Sequence, residues 1–308
     1  MSKPSIVVVG SSNTDMIIQL ARIPRPGETL LGGAFTSAAG GKGANQAVGA
    51  ARAGGNVTLV ARVGKDVLGA EAVAGFRKDG INVDFVSTDK TATSGVALIF
   101  VGKDGQNSIA VAGGANARLS PADVKKAAKA IRGAAVLVAQ LESPLDTIAA
   151  AAAIAAKSGV PFILNPAPAR ALPDDLLKLT SILTPNETEA ELLTGVKVKD
   201  DATAAKAAAK LLARGVGTVI LTLGARGAFV ANATAAQVVP GFKVKAVDTT
   251  AAGDTFTGAL AVALAEGKTL PAAIRFANAA AAISVTRLGA QPSAPTRREI
   301  EKFLKANP

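Results

Sequence analysis

An aspartate that opens a helix directly after a small, glycine-containing turn is the most chemically suggestive feature of this 308-residue chain, in DTTAAGDTFTGAL at 248–260. The turn puts the backbone N–H groups of Ala251, Ala252 and Gly253 at a helix N-terminus. Free amides and the positive end of the helix dipole cradle an anion there. Asp254 falls in the first turn, where a carboxylate is either a cap for the helix or a base beside an anion hole. The second arrangement suits phosphoryl transfer: a base orients the attacking hydroxyl while amides stabilise charge on the moving group.

A second candidate is AAGGKGANQAV at 38–48. Its glycines permit close backbone approach, Lys42 supplies a point charge, and Asn45 offers both donor and acceptor to a polyol. The spacing is not that of a P-loop, because Gly43 follows the lysine where Ser or Thr is required. Other polar residues follow apolar runs. Asn13 and Asp15 in GSSNTD, and Glu142 after AVLVAQL, either grip hydroxyls or hold the chain's exit from a strand. Asn186 and Glu189 in NETE share one face of a helix start, either as phosphate and Mg²⁺-water contacts or as a capping pair.

These residues need a scaffold, and the hydrophobic pattern supplies one. Apolar runs at 5–10, 56–64, 135–142, 160–166, 181–186 and 218–224 read as strands. Stretches at 43–54, 69–80, 121–132, 144–158, 202–214 and 254–266 read as helices between them. Alternation of buried strands with helices predicts an α/β fold with a mostly parallel sheet covered on both faces. Sites in such sheets lie beyond the strand C-termini, so Asn13, Asp15, Glu142, Asn165, Asn186 and Thr222 are expected to face one crevice. Segments 16–39 and 94–111 break the rhythm; the latter carries two apolar runs around the KDGQ turn. Both are expected to form a small β lid, the alternative being edge strands of the main sheet. The main domain is then 1–15, 40–93 and 112–308.

Composition narrows the functions. The chain is 49% hydrophobic and 19% charged, enough for a large core. Its longest alanine-rich apolar stretches, 148–156 and 277–285, fall well short of the roughly 20 residues of a membrane span. No export signal is evident, so a cytoplasmic location is expected. With no cysteine there is neither a disulfide nor a thiolate metal site. The net charge of +11 raises a nucleic-acid partner. However, the basic residues are scattered over helix faces and no Trp or Tyr is present to stack bases, so none is expected. His, Cys, Trp and Tyr are all absent, which reads as a restricted-alphabet or designed sequence. Any chemistry must therefore run without imidazole or thiol.

Taken together, GGKGANQA, DTTAAGDTFTGAL, SSNTD, RPGET, QLESP, NPAPA, TPNETEAE and RLGAQPS resemble, in order and over essentially the whole chain, the PfkB-type carbohydrate kinase family and its ribokinase branch. The resemblance implies a three-layer α/β/α fold with a small β-sheet lid. It also implies ATP-dependent phosphorylation of the 5-hydroxyl of D-ribose, with Mg²⁺ and an activating K⁺. Asp254 would be the base, with Ala251, Ala252 and Gly253 as the anion hole. Asn13, Thr14, Asp15, Gly41, Lys42, Gly43, Asn45 and Glu142 would hold ribose. Asn186, Thr222, Gly224, Gly227, Gly253 and Asn278 would contact ATP, and Glu189 would act on Mg²⁺ through water. Asp248, Thr250, Ser284, Arg287, Gly289 and Ser293 would surround the monovalent cation. Pairing of lids would make a homodimer. Asn278 stands where related proteins can carry histidine, and Thr257 where asparagine is frequent. The competing expectations are a kinase of the same family for another sugar or a nucleoside, and a catalytically silent scaffold.

Overall fold

The computed structural model describes residues 4–308. In chain order its strands are β1 (Ser5–Val9), β2 (Asn13–Leu20), β3 (Ala34–Gly40), β4 (Asn56–Gly64), β5 (Asn82–Asp89), β6 (Gly95–Gly102), β7 (Asn107–Ala112), β8 (Val136–Ala139), β9 (Phe162–Leu164), β10 (Ile182–Leu183), β11 (Thr218–Thr222), β12 (Gly227–Asn232) and β13 (Ala236–Pro240). The helices are α1 (Lys42–Arg52), α2 (Val67–Lys78), α3 (Pro121–Lys126), α4 (Ala128–Arg132), α5 (Leu145–Lys157), α6 (Asp174–Lys178), α7 (Glu187–Thr194), α8 (Asp201–Ala213), α9 (Ala252–Ala265), α10 (Leu270–Ser284) and α11 (Arg297–Ala306).

A nine-stranded sheet runs β13-β12-β11-β10-β9-β8-β1-β4-β5. It is parallel from β11 to β5, with β12 and β13 added antiparallel at one edge. Period-two alternation sends each strand's residues to opposite faces. Val7 and Val9 join one buried cluster with Leu137, Ile148, Leu176 and Leu211, beneath α3 to α8. Ile6 and Val8 join the other with Phe76, Phe256, Ile274 and Ile300, beneath α1, α2 and α9 to α11. The result is the three-layer α/β/α arrangement. No helix among the described residues is long and apolar enough to cross a membrane.

A separate four-stranded sheet has the order β3-β2-β6-β7. The KDGQ turn joins the antiparallel pair β6 and β7, whereas β2 and β6 run parallel. This sheet begins at Asn13 rather than at residue 16, because β2 already pairs with β3 at Asn13 and Gly40. Asn13, Thr14 and Asp15 therefore belong to the small sheet and do not end β1.

Other boundaries differ for local reasons. The helix expected over 121–132 breaks at Ala127 into α3 and α4. The strands expected at 160–166 and 181–186 shrink to β9 and β10, since their last residues leave the ladder to line the site. Strands β5, β12 and β13 and helices α6 and α10 lie outside the runs read from the pattern. Helix starts are secured by side chains: Ser120 and Asp123, Asp200 and Thr203, and Thr296 and Glu299 each form a reciprocal capping box.

Candidate active site

Helix α9 carries the central group. Ala251, its N-cap residue, is the one non-glycine residue with positive φ among those described, at 57°. That left-handed turn costs about 1–2 kcal/mol for an alanine. It turns the chain so that α9 starts with its amides facing an open hollow, and a Cβ on Gly253 would meet nothing within 4 Å. The amide of Ala252 is not free, because it donates to the Thr249 carbonyl at 3.2 Å. Of the amides at this turn, that of Ala252 is thus engaged, and the first-turn donors without an upstream carbonyl include Gly253 and Asp254.

The Asp254 carboxylate is buried, and its oxygens accept from Asn45 Nδ2 at 3.1 Å and Gln46 Nε2 at 2.9 Å. Burial raises its proton affinity above the ordinary carboxylate value, against the opposing pull of the Lys42 ammonium and the two amides. Asp254 does not cap α9 through its side chain, so the capping alternative fails.

Helix α1 delivers the partners. Gly41 sits at its N-cap with φ 87°, and a Cβ there would fall 2.6 Å from the Asn13 amide nitrogen. Lys42, Asn45 and Gln46 recur at the i, i+3 and i+4 positions and share one helix face. Lys42 is nearly buried, yet its pKa lies above the ordinary value: burial opposes the charge, but Asp254, Glu142, Glu189 and Asp15 outweigh it. Glu142 Oε2 accepts from the Lys42 amide at 2.9 Å and from Ser11 Oγ at 2.5 Å, and Ser11 Oγ also takes the Gly43 amide at 3.2 Å. Asp15 is pushed up to about 6 by burial and by the nearby Glu142 and Asp254 charges, with Lys42 opposing. Asn45 Oδ1 is buried without a hydrogen-bond partner. Such an orphaned acceptor calls for a donor from outside the protein.

Two adjoining cavities meet over α9. One, of about 210 Å³, is lined by Lys42, Asn165, Asn186, Glu189, Thr249, Ala251, Ala252, Gly253 and Asp254. The other, of about 260 Å³, has walls of Phe242, Val244, Phe256 and Val285 with Thr222, Gly224 and Asn278 as polar points. Thr249, Ala252 and Gly253 line both. Apolar walls with few polar groups suit a planar heterocycle. Asn278 Nδ2 is spent on the Val239 and Pro240 carbonyls at 3.2 and 3.1 Å. Gly227 does not line either cavity: it is buried at φ 99°, and a Cβ on it would strike Gly241. Asn186 and Glu189 form a full capping box, and both also line the smaller cavity. Among the described residues no group of three or more carboxylates forms a ready metal cage.

Not every expected residue joins this hollow. Asn13 and Thr14 line a different one, of about 220 Å³, with Leu68 and Gln291, although Asn13 Oδ1 accepts from the buried Asn116 at 2.7 Å. Asp248, Thr250 and Gly289 come together beside α9, since Asp248 accepts from the Thr250 hydroxyl at 2.6 Å and the Gly289 amide at 2.8 Å. Burial opposes the Asp248 charge, but these donors hold the carboxyl below its ordinary pKa. Ser284 and Ser293 turn their hydroxyls onto the Ala281 and Ala290 carbonyls, and Arg287 pairs with Glu299 at 2.5 Å. A hydroxyl that donates keeps its oxygen lone pairs, whereas the Arg287 guanidinium has none to offer.

The family model for the pfkB family carbohydrate kinases matches residues 3–297. The chain belongs to this family. It is 47% identical over 303 residues to a ribokinase of Haemophilus influenzae, covering 98% of this chain and 99% of that one. Among solved structures it resembles a ribokinase from Thermotoga maritima, with TM-score 0.89, 40% identity and 98% and 99% of the two chains covered. It also resembles an Arabidopsis thaliana ribokinase complexed with ribose and ATP, with TM-score 0.92, 36% identity and 99% of each chain covered.

Within this pfkB-family chain, sequence reasoning passed over Ser11, Gln46, Asn116, Gln140 and Thr249. Three of them carried a usable signal, Ser11 because it lies inside GSSNTD. Gln46 follows Asn45 on the face of α1 that already held Lys42, and Thr249 lies inside the DTTAAGD turn. Asn116 and Gln140 carried none, because their importance comes from partners 94 to 104 positions away.

Proposed function

We propose that the protein is an ATP-dependent kinase of D-ribose, forming ribose 5-phosphate and ADP. The observation that carries the reading is Asp254: a buried carboxylate at an amide-lined turn, between a polar pocket and an apolar cleft that meet over the same helix start. Near full-length similarity to ribokinases, including one complexed with ribose and ATP, supports the substrates.

In this reading ribose lies against Asp15, Lys42, Asn45 and Glu142, Gly41 and Gly43 let the start of α1 approach the 10–13 backbone closely, and Asn13 and Thr14 border the site from the neighbouring hollow. The orphaned Asn45 Oδ1 takes a sugar hydroxyl. Asp254 accepts the proton of the 5-hydroxyl as its oxygen attacks the γ-phosphorus, and the bond from that phosphorus to the ADP oxygen breaks. The Gly253 and Asp254 amides and Lys42 receive the charge on the transferring group. Adenine occupies the apolar cleft beside Thr222, Gly224 and Asn278. This division of labour needs no imidazole, since positioning and electrostatics supply most of the catalysis in phosphoryl transfer.

Mg²⁺ bound mainly by the phosphates would neutralise their charge, with Asn186 and Glu189 reaching it through water. K⁺ would sit among the backbone carbonyls of the 248–250 and 284–293 loops, which are tied together by Val247 N to Val285 O at 2.7 Å and by Gly289 N to Asp248. The four-stranded sheet acts as lid, and its exposed Phe35, Leu98, Ile109 and Val111 support pairing with a second copy. We place the enzyme in the cytoplasm with its ATP supply.

The test is ADP release with Mg²⁺-ATP and ribose, deoxyribose, fructose or adenosine, with and without K⁺. Ribose-dependent release stimulated by K⁺ is expected. Preference for another acceptor reassigns the substrate; a folded protein with no acceptor-dependent release restores the scaffold alternative.

A further inference from the structure

Gln46 has no part in the reaction as described, yet it is wholly enclosed directly behind Asp254. Its Nε2 donates to Asp254 Oδ1 at 2.9 Å and to Asn165 Oδ1 at 3.1 Å, while its Oε1 accepts from Gln140 Nε2 at 2.6 Å. The three contacts fix which way the amide faces. Turned over, it would set its oxygen against a carboxylate and its NH₂ against the Gln140 donor. Asn165 is anchored in turn, donating to the Thr184 carbonyl at 3.0 Å. The chain of amides thus runs from the end of β8, through α1 and the end of β9, to the first turn of α9.

Such a network is costly to bury, and an apolar cluster would fill the same space without that cost. Its cost is justified where one group must keep a single orientation. The close seat of α1 on α9 has the same effect: a Cβ on Gly258 would fall 2.6 Å from the Gln46 carbonyl oxygen. We infer that Gln46 is a positioning residue for Asp254, held by Gln140 so that its amide grips one carboxylate oxygen and presents the other to the acceptor hydroxyl in its basic form. This inference rests on the ribose kinase reading.

Every charged group facing Asp254 bears on its proton. Lys42 of α1 favours the ionised form, and Glu142 after β8 opposes it. Asp15 of β2 and Glu189 of α7 sense the Asp254 charge and add to that opposition. Against a buried carboxylate surrounded by three others, loss of one amide donor shifts the balance toward the acid.

The experiment is the pH dependence of kcat and of the ribose KM for the full-length wild type, Gln46→Met and Gln46→Glu. Methionine keeps the volume without a donor; glutamate keeps the shape and adds a like charge. In Gln46→Met, kcat at neutral pH is expected to fall ~10-fold and the acid limb of kcat to rise by about one pH unit, the scale of a lost charged hydrogen bond. Gln46→Glu moves the limb further in the same direction. The ribose KM changes much less than kcat in both. A limb that stays in place in folded variants, or equal changes in kcat and KM, overturns the inference. So does failure of both variants to fold, which assigns the network to stability alone. A wild type without ribose-dependent turnover fails at the earlier step and takes the kinase reading with it.

Discussion

Asp15→Asn is expected to make the protein more stable and a poorer ribose binder. Asp15 titrates at about 6 in the folded chain against an ordinary value of 3.8, chiefly because it is buried and faces Glu142 and Asp254. A raised carboxylate pKa means that folding favours the protonated form. The contribution of this group to stability is therefore complete below pH ~4 and is lost as pH rises through about 6. The gap between the two values corresponds to at most about 3 kcal/mol at 1.36 kcal/mol per unit. The site is partly open to water, so about 2 kcal/mol is the working figure. Asparagine fills the same space without the charge. The gain should be near zero in acid and approach that figure above pH ~7, as read by urea unfolding of both proteins at matched pH. Titrating groups that do not face Asp15 are common to both and cancel in the difference, whereas its neighbours Glu142, Asp254 and Lys42 respond to the loss of its charge. In the ribose kinase reading, the ribose KM of Asp15→Asn should rise over the same range, because an amide oxygen accepts a sugar hydroxyl more weakly than a carboxylate does. A stability difference that stays flat with pH, or a variant no more stable at neutral pH, would refute the electrostatic account of Asp15.

Three further outcomes follow from the geometry. Asp254→Asn should lower kcat at least ~100-fold while ribose still binds, the scale of general-base loss; near-normal turnover removes Asp254 from its role. Ala251→Gly should raise the unfolding free energy by about 0.5–1 kcal/mol with turnover kept, since glycine enters the left-handed region without a Cβ penalty; a loss of stability in denaturant titration would contradict the strain assigned to that turn. Gly258→Ala should destabilise by about 1–3 kcal/mol, because the new methyl meets the α1 backbone at Gln46 and Ala50 rather than a flexible side chain. Urea midpoints check this, and an unchanged midpoint means that the helices can separate freely.

The sequence by itself determined the layered α/β plan, the small second sheet and the turn that opens α9. Each is written in residues a few positions apart: continuous apolar strands such as SIVVV, the KDGQ hairpin, and the AAGD turn. Short-range sterics and burial decide these features, so their signals lie within one window of chain. Short strands such as β10 and the added pair β12 and β13 were less legible, because the sheet around them supplies much of what makes them strands. Only the tertiary structure decided how the polar groups divide between hollows. It set Gln46 and Asp254 in contact across 208 positions, turned Asn13 toward Asn116, and withdrew Gly227 into a backbone turn. It also closed the Ala252 amide onto Thr249. A hydrogen bond acts over about 3 Å, and which two amides come that close depends on which strands lie side by side. Nothing in the local order of residues specifies that adjacency.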